Sequence, residues 1–94
     1  MTYERIVSPQ KYERTVRGMR SWLNTLVRRR ANRMVTADDA HTYLDRQGFR
    51  KNEVFTRLSF INTVLRDGNF DVIGRVPSER PVARRRLINA WTIR

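Results

Sequence analysis

The spacing of apolar side chains changes along this chain, and that change limits what it can fold into. Tyr12, Val16, Met19, Leu23 and Leu26 recur at intervals of four, three, four and three, with Trp22 and Val27 widening the stripe. Such spacing turns one face of a helix toward a core. Ser8 before Pro9 supplies an N-cap and a proline at the first helical position, where a missing amide hydrogen costs nothing. A first helix is therefore predicted over residues 8–32, after a leader of residues 1–7. Near the other end the pattern alternates: Leu87, Asn89, Trp91 and Ile93 fall on one side, Ile88, Ala90 and Thr92 on the other. A period of two belongs to a strand. Helices come first and strands last, so the expected class is α+β, mainly α.

Between these ends, Thr36 followed by Asp39 resembles a capping box with Asp in place of Glu, and Asp38 and Asp39 suit the positive end of a helix. A second helix of about three turns follows, with Ala37, Ala40, Tyr43 and Leu44 as its apolar face and Gly48 as its stop. A third helix is predicted from Lys51 to Arg66, its stripe made by Val54, Leu58, Ile61 and Leu65 and its opposite face by Asn52, Thr56, Ser59 and Thr63. Asp67-Gly68-Asn69 is a turn sequence, and Phe70, Val72 and Ile73 form a short strand ending at Gly74. Pro77 and Pro81 make Arg75 to Arg84 a connection that cannot pair along its length. The closing segment returns as the second strand of a hairpin. With 94 residues, one core and one domain over 1–94 are expected.

The 20 Lys plus Arg against 9 Asp plus Glu leave a formal charge of +11. Such self-repulsion favours an anionic partner, and a polyanion comes first. Only Lys11 and Lys51 are lysines, so the other basic residues are arginines, suited to bidentate contact with phosphate or carboxylate. Cysteine is absent, which excludes a disulfide framework, an iron-sulfur cluster and a cysteine-built zinc site. The charged N-terminus does not read as a signal peptide, and no apolar run approaches a membrane span, so an intracellular protein of the cytoplasm or nucleoid, without membrane contact, is expected.

Catalysis is not expected. His41 is the single histidine, too few parts for a metal site or a nucleophilic triad, and reads as an exposed or cap-adjacent helix residue. Asp38 with Asp39, and Asp67 with Asp71, suggest carboxylates for magnesium, but capping and turn roles account for them. No phosphate-binding loop or dinucleotide glycine pattern occurs, and no cofactor, metal or small-molecule ligand is expected.

VTADDAHTYLDRQG, the turn through Gly48 and Phe49, RKNEVFTRLSFINTVLRDG and the closing FDVIGRVPSERPVARRRLINAWTI together resemble the winged helix-turn-helix family: residues 36–66 look like its helix-turn-helix, 70–94 like its wing hairpin. The family's second motif helix enters the DNA major groove while the first crosses the phosphate backbone. Carried onto this sequence, the resemblance implies base contacts from Asn52, Thr56, Ser59, Thr63 and Arg57, with Arg50 and Lys51 on phosphate nearby. Arg57 lies at a helical angle between Val64 and Ile61, which leaves a packing role open to it. Arg75, Arg80, Arg84, Arg85 and Arg86 concentrate at the wing, where a flexible basic hairpin grips phosphates. Arg28, Arg29, Arg30 and Arg33, placed by the periodicity in the last turn of the first helix, offer further phosphate contacts or answer the helix dipole.

The expected function is double-stranded DNA binding, with transcriptional regulation as its use and a compact genome such as a virus's as a suitable setting. Three alternatives stay open. A basic surface also fits an acidic protein partner or a nucleoprotein machine. RNA or single strands would require exposed aromatics, whereas Tyr12, Trp22, Tyr43, Phe55, Phe60, Phe70 and Trp91 read mainly as core. The first helix offers a homodimer surface, although no heptad pattern persists along it.

Overall fold

Ser8 opens the first helix through its hydroxyl, which accepts from Lys11 N at 3.2 Å, and Pro9 takes the first helical position. Helix α1 spans Pro9–Arg29. The computed structural model describes residues 6–93, apart from the side chain of Val82, so Met1 to Arg5 of the expected leader and Arg94 of the expected hairpin lie outside the described residues. Arg30 is the C-cap, its N–H donating to Leu26 O. Arg33 is therefore not in the last turn: it sits beyond the helix with φ 52°, in the turn that follows.

A two-residue strand, β1 (Val35–Thr36), comes next and pairs antiparallel with the C-terminal strand, Val35 opposite Trp91 and Thr36 opposite Ala90. Two residues are too few for periodicity to announce. Thr36 then serves as N-cap of α2 (Ala37–Arg46), and the capping box with Asp39 is complete. Gly48, at φ 86°, ends α2 in the left-handed conformation that glycine adopts without a Cβ penalty. Gly48 N donates to Asp45 O and Phe49 N to Leu44 O, the paired bonds of a Schellman stop. The turn delivers Phe49 to the core.

Helix α3 spans Val54–Asp67, three residues later than its expected start. Lys51 and Asn52 instead form a turn, closed by Arg50 N donating to the Glu53 carboxylate at 3.0 Å. Strand β2 (Phe70–Pro77), a single 3-10 turn (Pro81–Ala83) and β3 (Leu87–Ile93) complete an antiparallel sheet of order β1-β3-β2. β2 outruns the expected Gly74 stop, since Arg75, Val76 and Pro77 pair with Asn89, Ile88 and Leu87. Pro77 is tolerated there because β2 is an edge strand and the proline stands at its end. A bulge between Val72 and Gly74 leaves Ile73 as the extra residue.

The helices and the sheet enclose Met19, Leu23, Val27, Leu44, Phe60, Val64, Leu65 and Phe70. Phe60 holds the centre, stacked on Tyr12 at 4.8 Å and edge-on to Phe49 at 5.3 Å between centroids. The α3 stripe is rotated from expectation: Phe60, Ile61, Val64 and Leu65 are buried, while Val54 and Leu58 are 50% and 44% exposed. The larger aromatic area of Phe60 outweighs the two aliphatics when only one arc can face inward. Among the described residues no helix is long and apolar enough to cross a membrane.

Candidate nucleic-acid interface

Arg57 lies in the interior, 2% exposed, and not on the outer side of α3. Its Nε donates to Arg50 O at 2.9 Å, its Nη2 to Phe49 O at 2.6 Å and to the Asp45 carboxylate, and its Nη1 to His41 Nδ1 at 3.2 Å. A guanidinium donates and never accepts, so this nitrogen of His41 is the acceptor and the ring is neutral. Burial, then the charges of Arg80 and Arg57, push the His41 pKa down to about 4. The sequence expectation of an exposed His41 is corrected accordingly, and Arg57 takes the packing role left open to it.

The side of α3 that remains outward is a ridge of Phe55, Ser59, Asn62 and Arg66 at intervals of four, three and four, with Leu58 beside it. Phe55 is 77% exposed, contrary to a core reading. Of the four expected base-contact positions besides Arg57, Ser59 stands on this ridge, Asn52 stands exposed in the preceding turn, and Thr56 and Thr63 are half-buried at its flank. Tyr12 accounts for that tilt: its hydroxyl meets Thr63 Oγ1 at 2.8 Å and Ser59 Oγ at 3.1 Å, drawing this face toward α1. Asn62 was missed. The three-four spacing from Phe55 would have found it, had Phe55 been allowed outside.

The hairpin runs beside this ridge. Near the start of α3, Lys51 and Val54 line a groove of about 570 Å³ together with Arg80 and Pro81 of the hairpin loop and the carboxylates of Asp38, Asp39, Asp45 and Glu79. At the C-terminal end, Asn62 and Arg66 share a cleft of about 130 Å³ with Asn89 and Trp91 of β3. The expected phosphate residues Arg50, Lys51, Arg75, Arg84, Arg85 and Arg86 are exposed, and Arg80 is half-exposed.

The loop itself is pinned and not the flexible hairpin expected. Ser78 Oγ donates to Asp38 Oδ1 and Glu79 N to Asp38 Oδ2, both at 2.8 Å, tying the loop to the first turn of α2. Its tip is a β-turn in which Arg86 N donates to Ala83 O at 2.9 Å and the two central residues, Arg84 and Arg85, have φ 48° and 59°. Two consecutive left-handed positions ordinarily take Asn and Gly. Arginine at both costs about 1 kcal/mol each in backbone energy, so the tip holds its charges against conformational preference.

The last four expected phosphate residues divide. Arg28, Arg29 and Arg33 are exposed. Arg30 is partly exposed and already engaged, its guanidinium forked on Asp39 with both N–O distances 2.8 Å, and this bond raises its pKa. Asp38, Asp39 and Asp45 are thus each engaged within the chain, while Glu13, Asp67, Asp71 and Glu79 stand exposed alongside the outer arginines. No family model, curated protein or solved structure matches this chain.

Proposed function

We propose that the chain is a winged helix-turn-helix module that binds double-stranded DNA, with the α3 ridge in the major groove and the arginine-bearing hairpin on adjacent phosphates. What carries the reading is the C-terminal end of the exposed ridge, where Asn62 and Arg66 share a cleft with Asn89 of β3, on a hairpin whose Arg75, Arg84, Arg85 and Arg86 are exposed. The element order α1, β1, α2, α3, β2, β3 with sheet order β1-β3-β2 supports it as a wing arrangement. Asn62 and Ser59 supply hydrogen-bonding groups for base edges, Phe55 an apolar contact for a thymine methyl, and Arg66 a fork for guanine or phosphate. Regulation of transcription is the proposed use of such binding.

A second reading rests on Val54, Phe55 and Leu58, an exposed apolar group within a basic surface, which also fits an acidic protein partner with an apolar anchor. Fluorescence anisotropy with labelled duplex DNA, single-stranded DNA and duplex RNA, over a salt series and with a random-sequence pool, separates the two. Duplex-DNA binding with a sequence preference and a log-log salt slope of about −5, for roughly six phosphates, supports the DNA reading. Absence of binding to all three ligands turns attention to the acidic protein.

A further inference from the structure

Helix α1 carries a second basic surface that the DNA reading does not use. Its outward side bears Arg14, Arg17 and Arg28, exposed, with half-buried Arg20 beside them, and Glu13 is the only acid in the helix. Arg17, Arg20 and Arg28 line a shallow trough floored by the short side chains of Ser21, Asn24 and Thr25. The Thr25 hydroxyl turns back onto Ser21 O at 3.0 Å, which keeps the floor low. At 100° per residue, Arg17, Ser21, Asn24 and Arg28 lie roughly 120° to 180° around α1 from Tyr12, the residue that meets α3. The trough therefore faces away from α3. From Arg14 to Arg28 the cations span about 21 Å of helix.

We infer that this face of α1 binds the phosphate backbone of a second duplex segment, so that one chain bridges two stretches of DNA. The inference rests on the DNA-binding reading above. Its chemistry favours phosphate over protein: stable protein interfaces centre on buried apolar or aromatic anchors, and α1 exposes no large hydrophobic side chain. Backbone contact with nucleic acid asks only for cations and small polar groups, which is what the trough presents. Such contact carries no sequence information, so the second segment is bound without preference.

The test mixes the protein with excess donor-labelled and acceptor-labelled 20-base-pair duplexes and reads energy transfer, with sedimentation fixing the stoichiometry. The expected result is transfer from complexes of one chain with two duplexes, lost above moderate salt. The variant Arg14→Gln/Arg17→Gln, altered only at exposed positions, is expected to lose the transfer and keep its affinity for a first duplex. Duplex binding without transfer in the unaltered protein overturns the inference alone, as does transfer arising only from a protein dimer. Failure of the unaltered protein to bind any duplex overturns the reading beneath it. Loss of first-duplex binding in this variant also overturns the inference, because α1 is then the primary surface.

Discussion

Arg57 Nη2 and Asp45 Oδ1 stand 2.5 Å apart across the turn that joins α2 to α3. The arginine is buried and the aspartate half-exposed, so the pair joins the interior of the α2–α3 unit to its surface. The same guanidinium also serves the carbonyls of Phe49 and Arg50, which fixes the angle at which α3 leaves the turn. Arg57→Leu leaves those carbonyls without their donor and is expected to destabilise the fold by about 3 kcal/mol. Arg57→Lys is expected to recover little of this, because an ammonium cannot reproduce a planar fork. Urea unfolding of both variants measures the effect.

The two left-handed arginines at the hairpin tip separate stability from binding. Arg84→Asn with Arg85→Gly installs the residues that this turn prefers and is expected to raise stability by about 1 kcal/mol. The same change removes two cations, so duplex affinity is expected to fall and the log-log salt slope to lose about two units. Thermal unfolding and anisotropy on one protein preparation read both quantities. A stabilised variant with unaltered affinity would take the tip out of the interface.

Much of this architecture was legible because it is local. Ser8-Pro9, the Thr36 to Asp39 capping box and Gly48 each act within a few residues, and each sits where the sequence put it. Long-range competition was not legible. The α3 segment offers overlapping apolar arcs, and the choice between them was made by Tyr12, a distant residue that stacks on Phe60 and bonds Thr63. Strand β1 was invisible because its partner lies at the far end of the chain. The candidate site inherited these errors: the α3 polar face was placed one arc away, and Arg57, an expected base contact, proved internal. The exposure of Arg75, Arg84, Arg85 and Arg86 was legible as a group, since a charge run needs no register.

His41 makes the fold sensitive to mild acid. With its pKa held at about 4, against an ordinary 6.5, the ring stays neutral in the folded chain while the unfolded chain takes up a proton. The contribution is complete above about pH 6.5 and is lost as pH falls toward 4. Allowing for partial exposure of the ring, stability at pH 5 is expected to be about 1 kcal/mol below that at pH 7. Urea unfolding at the two pH values tests this, and His41→Gln is expected to flatten the difference between them.

Asp38 holds the hairpin loop through Ser78 and the Glu79 amide. Asp38→Ala removes both acceptors and leaves the proton of the buried Ser78 hydroxyl without its acceptor, at a cost of about 2 kcal/mol. The loop arginines then have to be ordered upon binding, so duplex affinity is expected to fall even though the lost charge is negative. Hydrogen exchange at the Glu79 amide, expected to quicken, shows whether the loop has been released. An affinity that rises instead would mean that simple charge outweighs preorganisation here.

The rotation of α3 yields the sharpest test of the proposed DNA contact. A reading helix placed by sequence pattern alone would use Thr56 and Thr63, which are half-buried, and Thr63 is already bonded to Tyr12. The ridge instead offers Asn62 and Arg66, next to Asn89 of β3. Asn62→Ala is expected to relax sequence preference by about 1 to 3 kcal/mol at one base position, with binding to random duplex unchanged. Arg66→Ala is expected to weaken binding to every duplex if it meets phosphate, or to relax preference at a neighbouring position if it meets guanine. Thr63→Val should cost stability through the lost Tyr12 bond and leave preference intact. Selection from a random-sequence pool with each variant reads all three. A preference altered by Thr63→Val and untouched by Asn62→Ala would mean that α3 reads DNA from a different side, and with it the flanking hairpin would lose its place beside the groove.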